Sequence, residues 1–132
     1  LPHIRQSLEN LKPVLDDHIG TIFGLELPLY SNHLGVAGRC DCIAQYNGVP
    51  SIIDFKTSRY KKKKEKISNY FAQGAAYSIM WEERTGMVVP NIVIIMDVDH
   101  EKPSVFVEHR DNWTDLLHNT IDEYRKRKMF GH

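Results

Sequence analysis

The sequence predicts an α+β fold with a central mixed β-sheet of about five strands, flanked by helices in the order α-β-β-β-α-β-β-α. Two observations lead to this fold class. Asn47-Gly48, between two alternating apolar runs, is the strongest short-range signal for a β-hairpin. A helical period follows it, and two more strand-like runs and a second amphipathic helix come after. With 132 residues and 42% hydrophobic content, residues 1–132 can form a single domain with a buried core.

The N-terminal part predicts helices followed by a strand. Apolar residues recur at helical spacing from Ile4 to Ile19, and Pro13 interrupts them, so we expect two short helices. Residues 21–31, TIFGLELPLYS, form the next strand-like run and precede the hairpin. Because the chain begins with Leu1 and not Met, we expect a piece of a longer protein, shortened at its N-terminus.

The second half predicts a helix, a hairpin and a last helix. One apolar face runs through residues 66–84, where small residues at 74–76 would allow close packing on the sheet and Gly86 would cap the end. The runs NIVIIMDVD and SVFVEHR, separated by HEKP, predict two strands. Asp111 is the expected N-cap of the last helix. Its apolar face comprises Trp113, Leu116, Leu117, Ile121 and Tyr124.

The hairpin turn fixes a register that brings like charges together. If Asn47 and Gly48 are the turn residues, Asp41 lies opposite Asp54, and Arg39 lies opposite Lys56. Alternation then places these four side chains on one face. The other face would carry Cys40, Cys42, Ile53 and Phe55. Directly opposed like charges are destabilising, so the aspartate pair requires compensation.

Two explanations of the aspartate pair remain open. The aspartates can be solvated on a surface hairpin and relieved by Arg39 and Lys56. Alternatively, they can bind a divalent cation, since Mg²⁺ is usually held by one or two carboxylates together with substrate phosphate. The run PSIIDFKT is apolar on both faces up to Asp54, which is typical of an interior strand and favours the cation.

Composition excludes several function classes. With 17 basic and 17 acidic residues the net charge is zero, so nucleic-acid binding would depend on local patches such as residues 59–66 and 125–128. The sequence has no apolar run long enough for a membrane span, no signal peptide and no GxxxxGK loop, so we expect neither a membrane nor a nucleotide cofactor. Cys40 and Cys42 are expected to be buried thiols in a reducing compartment.

Three motifs together resemble a known family. They are GRCD at residues 38–41, DFK at 54–56 and QGAAY at 73–77, and they lie in order on two strands and a helix. In combination they resemble the GxxD, DxK and QxxxY signature of the PD-(D/E)xK nuclease superfamily. The sequence is similar to its RecB-type branch, which includes mitochondrial genome maintenance exonucleases and small phage exonucleases. The resemblance implies the restriction-endonuclease-like fold and covers mainly residues 25–81.

The resemblance also implies a metal site and a catalytic lysine. Asp41 and Asp54 would hold Mg²⁺ or Mn²⁺, together with the backbone carbonyl of Phe55. Lys56 would orient or deprotonate the attacking water. The metal would make that water more acidic and neutralise charge on the scissile phosphate.

Other positions are implied by the same resemblance. Gln73 and Tyr77 lie one helical turn apart and would touch phosphate or a DNA end, although packing against the sheet is the alternative. Glu26 would support the metal ligands indirectly or help a second metal, or would simply be solvated. Relatives carry a histidine upstream near the metal, and neither His3 nor His18 stands in such a motif.

The expected function is a metal-dependent DNA exonuclease that prefers single strands or frayed ends. A basic loop would follow the phosphate backbone, with Tyr70 and Phe71 as stacking surfaces or core residues. That loop comprises Arg59, Tyr60, Lys61, Lys62, Lys63 and Lys64. The alternatives are an impaired nuclease that only binds DNA and a structure-selective endonuclease. The expected location is intracellular, in the bacterial host cytoplasm for a phage protein, or mitochondrial.

Overall fold

The computed structural model describes residues 16–58, 64–98 and 103–129. Five strands form one sheet in the order β1-β2-β3-β4-β5. The strands are β1 (Ile19–Ser31), β2 (Val36–Tyr46), β3 (Val49–Ser58), β4 (Asn91–Val98) and β5 (Ser104–His109). The helices are α1 (Lys64–Thr85) and α2 (Thr114–Met129), and a 3-10 turn covers Arg110–Asn112.

The predicted fold class is confirmed: the described elements follow the order β-β-β-α-β-β-α of a restriction-endonuclease-like α+β fold. The two helices expected at the N-terminus fall mostly in residues 1–15, which lie outside the described residues. Ile19, which we assigned to the helical period, instead begins β1. None of the described helices is both long and apolar enough to cross a membrane.

The sheet is mixed because α1 connects two parallel strands. β3 and β4 pair in parallel, and the other neighbouring pairs are antiparallel. β3 is the central strand, and both Ile52 and Ile53 on it are fully buried, one toward each face of the sheet. The apolar character of both faces of β3 therefore identified an interior strand correctly.

The β2–β3 hairpin has the predicted register over its first five pairs. Asn47 and Gly48 have φ values of 51° and 80°, as a two-residue type I′ turn requires. The ladder runs from Tyr46 opposite Val49 to Cys42 opposite Ile53. Beyond that pair the ladder stops, one residue short of the two aspartates.

The prediction that the two cysteines share a face is wrong. Cys40 packs in the large cluster beneath α1 with Ile52, whereas Cys42 packs with Ile53 in the smaller cluster on the opposite face. The alternation of β2 is therefore broken between them, where the β2–β3 ladder ends. Both are free and buried, as expected of small apolar side chains in a core.

Helix α1 packs closely against the middle of the sheet. A Cβ atom at Gly74 would lie 2.5 Å from Cγ2 of Ile92 on β4, so only glycine permits this approach. Gly86 ends the helix as predicted, with φ of 77° and a hydrogen bond from its N–H to the carbonyl of Glu82 at 2.7 Å.

Helix α2 differs from its prediction at both ends. Asp111 is not the N-cap, because it lies in the 3-10 turn and the helix begins at Thr114. Leu117 and Ile121 are buried as expected, but Tyr124 is 63% exposed. The apolar side chains of α2 are therefore buried against the rest of the fold in its first two turns, and the helix is exposed at Tyr124.

Candidate active site

Asp41 and Asp54 lie side by side where strands β2 and β3 separate. Asp54 is buried, with 7% of its surface exposed, and it is hydrogen-bonded to the Asp41 side chain. Oδ2 of Asp41 also accepts the backbone N–H of Phe55 at 2.9 Å. The Asp41 side chain thus takes the place of a backbone acceptor for the Phe55 N–H. This hydrogen bond holds the Asp41 carboxyl next to Asp54.

Burial and the neighbouring carboxyl change the acidity of Asp54. Its pKa is raised from 3.8 to about 7, first by burial and then by the hydrogen bond and charge of Asp41, while Lys56 partly opposes them. The Asp54 carboxyl therefore keeps its proton to a higher pH than an exposed aspartate does. This proton is the compensation that the predicted like-charge pairing required.

Lys56 lies two residues after Asp54 on the same face of β3. Its Nζ atom is 2.9 Å from Oδ2 of Asp54 and 4.5 Å from the centre of the Tyr70 ring on α1. The ammonium group is therefore held by a carboxylate on one side and by an aromatic face on the other.

The predicted helical pair Gln73 and Tyr77 is also present. Nε2 of Gln73 donates a hydrogen bond to the Tyr77 hydroxyl oxygen at 3.1 Å. Tyr77 is 6% exposed, and its pKa is raised to about 12, first by burial and then by the charge of Asp54. A Cβ atom at Gly38 would lie 2.9 Å from the Tyr77 hydroxyl oxygen. The absence of a side chain at Gly38, the first residue of GxxD, thus allows the ring of Tyr77, the last residue of QxxxY, to pack against β2.

Two other predicted positions have distinct surroundings. Glu26 lies on the edge strand β1, opposite Asp41 of β2. The neighbouring pairs are Leu25 with Cys42 and Leu27 with Cys40. Its φ of 51° makes the β1 backbone irregular there. His18 stacks on Tyr46 and contacts Oδ1 of Asn47 at 2.8 Å, and therefore lies at the hairpin turn, away from the aspartates.

Several predicted nucleic-acid contacts lie outside the described residues. These are Arg59, Tyr60, Lys61, Lys62 and Lys63, and Lys64 is the first residue of α1. Of the two predicted stacking residues, Phe71 belongs to the core, with its ring stacked on Trp113 at 5.1 Å. His3 also lies outside the described residues.

Sequence reasoning missed one contact of the site, that between Tyr70 and Lys56. Tyr70 precedes Gln73 by three residues and Tyr77 by seven, so all three lie on one stripe of α1. That spacing was the signal that could have assigned Tyr70 to the cluster.

The donor set fits a hard divalent cation. A cation bound at this pair would displace the proton of Asp54 to solvent, and Mg²⁺ commonly binds through one or two carboxylates with water and phosphate completing its shell. Among the residues that the structure describes, no group of three or more His, Cys, Asp or Glu side chains forms a metal cluster. Asp41 and Asp54 are instead a pair of adjacent carboxyl groups, the number that Mg²⁺ commonly uses.

The sheet and its carboxylate–lysine cluster define a nuclease-type domain, and comparison with known proteins agrees. Residues 3–129 match the family model of the PD-(D/E)XK nuclease superfamily. The chain belongs to this superfamily, whose members generally use divalent metals.

Solved structures show the same fold. Fourteen chains of known structure match significantly. One is a protein of Eubacterium rectale described as a candidate exonuclease, with 16% identity and a TM-score of 0.54 over 96% of this chain and 50% of that one. The present chain thus spans half the length of that protein. No protein of curated function matches at a significant level.

Proposed function

We propose that this chain is a divalent-metal-dependent exonuclease that hydrolyses phosphodiester bonds of DNA and prefers single strands or frayed ends. The observation that carries the proposal is the Asp41–Asp54 carboxyl pair, in which Asp54 is buried and lies 2.9 Å from the Lys56 ammonium group. Arranging two carboxyl groups and an ammonium group at the open end of a hairpin is costly for folding, and hydrolysis of a phosphodiester makes use of all three groups.

The acids would hold the cation. Asp41 and Asp54 would bind Mg²⁺ or Mn²⁺, together with the backbone carbonyl of Phe55. When bound, such a cation supplies Lewis-acid chemistry, since it increases the acidity of the attacking water and neutralises charge on the phosphate. The chain contributes the position of the two carboxylates, which the Phe55 N–H fixes through Asp41.

Lys56 would orient the attacking water and stabilise the charge that develops on it. Its Nζ atom lies between the Asp54 carboxylate and the Tyr70 ring, so its rotation is restricted before substrate arrives. A donor whose position is fixed in advance stabilises developing charge without a reorganisation cost.

Gln73 and Tyr77 would position the phosphate or the end of the strand. Their mutual hydrogen bond leaves the second amide proton of Gln73 for another acceptor. Support for an exonuclease comes from the RecB-type motif set and from the description of the Eubacterium rectale protein, with which this chain shares its fold.

End-labelled DNA incubated with Mg²⁺ or Mn²⁺ tests the proposal. We expect mononucleotides or short products released from an end. Discrete internal cuts would indicate an endonuclease, and a mobility shift without products would indicate a binding module.

Point variants connect that activity to the site. Asp54→Ala and Lys56→Ala are each expected to abolish cleavage while keeping a cooperative unfolding transition. Asp115→Ala, at an exposed acid in the first turn of α2, is the matched control and should cleave like the wild type. Near wild-type turnover in either site variant would show that the assigned site is wrong.

A further inference from the structure

We infer that single-stranded DNA leaves the cleavage site along a groove between helix α2 and the start of strand β2, and that Tyr124 stacks on one of its bases. This inference rests on the proposed function, because it takes DNA as the substrate. It adds a binding surface that none of the three sequence motifs contains.

The groove consists of two neighbouring cavities that extend from Gln73 and Tyr77 to Tyr124 on α2. The two cavities, of about 330 Å³ and 420 Å³, have four lining residues in common and therefore lie next to each other. The shared walls are Val36, Ala37, Thr120 and Ile121. Gln73 and Tyr77 line one end of the groove and Tyr124 lines the other. A strand bound at the Gln73–Tyr77 pair would thus enter this groove directly.

The near end of the groove adjoins the acids. The Tyr77 side chain lies against Gly38, three residues before Asp41 on β2. The groove floor is mostly apolar, with alanine and isoleucine side chains, and its volume is in the range of pockets that enclose small organic groups. Such a floor suits the faces and edges of unpaired bases and offers no pattern for reading their sequence.

Tyr124 breaks the apolar pattern of its helix at the far end of the groove. Its spacing from Leu117 and Ile121 predicts a buried ring, yet it is 63% exposed beside the groove. An exposed aromatic ring at the mouth of an apolar groove is the arrangement with which proteins stack single-stranded bases.

The charge near Tyr124 matches a phosphate backbone. The last turn of α2 carries Lys126, Arg127 and Lys128, all exposed, on a chain whose net charge is zero. Lys128 follows Tyr124 by four residues and therefore lies on the same side of the helix. Arg125 is already engaged, because its guanidinium donates to the carbonyl of Leu34 at 2.6 Å and fixes α2 against the β1–β2 turn.

Binding measured without cleavage tests the groove separately from catalysis. The probe is a fluorescent oligothymidylate of about twenty nucleotides, with anisotropy recorded in EDTA so that no metal-dependent cutting occurs. We expect Tyr124→Ala to weaken binding at least about fivefold, which corresponds to about 1 kcal/mol, the lower end of base stacking. Tyr124→Trp should restore the affinity, since any aromatic face can stack.

Tyr30→Ala is the matched control. Tyr30 is 66% exposed on β1 and lines a different cavity, beside His33 and Glu83. Its loss should leave the affinity unchanged, and a strand of about four nucleotides should be less sensitive to Tyr124→Ala than the longer one. Replacing Lys126, Arg127 and Lys128 by alanine should reduce the salt dependence of binding.

The outcomes separate this inference from the proposed function. Equal DNA affinities of Tyr124→Ala and Tyr30→Ala would contradict DNA binding in the groove, whether or not the enzyme cuts DNA. A change in oligomeric state on Tyr124→Ala, seen by light scattering without any loss of DNA affinity, would assign the surface to a second copy and would also overturn it. Tyr124-dependent binding by a chain that does not cleave would support the groove while contradicting the nuclease proposal.

Discussion

Tyr77 lies directly over Gly38, so closely that a Cβ atom on Gly38 would lie 2.9 Å from both the hydroxyl oxygen and Cε1 of the ring. The two residues belong to different motifs, one on β2 and one on α1. Their contact links the strand that carries Asp41 to the helix that carries Gln73.

Gly38→Ala is expected to displace the Tyr77 ring. Tyr77 is buried and bonded to Gln73, so overpacking at this contact should lower the free energy of unfolding by about 1–3 kcal/mol. Urea unfolding of Gly38→Ala, Tyr77→Leu and the double variant measures the coupling. Additive losses would mean that the two side chains do not compete for the same space.

The pKa of Asp54 predicts how stability changes with pH in the absence of metal. The folded state holds the proton up to about pH 7, whereas the unfolded chain releases it near 3.8. The native state binds more protons in this window, so the free energy of unfolding falls as pH rises from about 4 to 7. The loss should be on the order of 4 kcal/mol, at about 1.4 kcal/mol for each pH unit.

Asp54→Asn should remove that pH dependence, because the amide resembles the protonated acid. We expect the variant to match the wild type near pH 4 and to exceed it near pH 8, in urea unfolding with EDTA. Asp115→Asn is the control, since Asp115 is exposed. If wild-type stability is flat across this range, Asp54 does not retain its proton.

Mg²⁺ should raise the melting temperature of the wild type and not of the Asp41→Ala, Asp54→Ala double variant. A cation that binds only the folded state stabilises it by about 2.7 kcal/mol at a concentration 100 times the Kd. The rise should be larger at pH 8 than at pH 5, because the proton of Asp54 competes with the cation. Equal shifts in both proteins would place the metal elsewhere.

The form of the DNA should control the rate of degradation. A single-stranded oligonucleotide is expected to be degraded much faster than the same strand in a blunt duplex, and a closed circle should resist. The physical reason is that only unpaired bases expose faces for stacking. Faster cleavage of blunt duplex would contradict the single-strand preference, and cutting of circles would contradict an exonuclease.

The lysine run at residues 61–64 should contribute attraction to phosphate without sequence preference. Replacing all four by alanine is expected to weaken DNA binding equally for different sequences. On a single strand it should also reduce the slope of log K against log salt, by about 0.7 for each phosphate that the lysines neutralise in the wild type. Titration at several salt concentrations measures this, and an unchanged slope would mean that the run does not contact the backbone.

Local patterns allowed the sequence to predict the sheet and much of the hairpin. Asn47-Gly48 fixes the turn through positive φ values at both residues, and the register of the next five pairs follows from it. The double-sided apolar character of β3 identified the central strand. The fold class and the three motifs could therefore be predicted without coordinates.

The errors occurred where neighbouring segments decide the conformation. The regular alternation expected of β2 fails between Cys40 and Cys42, because the ladder ends and the Asp41 carboxyl takes the Phe55 N–H instead. Asp111 does not have its predicted capping role, because a 3-10 turn begins where the Arg110 N–H bonds to the Pro90 carbonyl at 2.8 Å. These long-range interactions leave no periodic signal in the sequence.

The sequence by itself determined the order of the elements from β1 onward, the register of the first five hairpin pairs and the positions of the three motifs, since these depend on turn chemistry and periodicity between near neighbours. Tertiary structure alone decided that Asp54 is buried beside Asp41, that the Tyr70 ring contacts Lys56, that Tyr77 packs on Gly38 and that Tyr124 is exposed. Each of these depends on how far one element lies from another. Such distances are fixed by packing in the core, where residues remote in sequence meet.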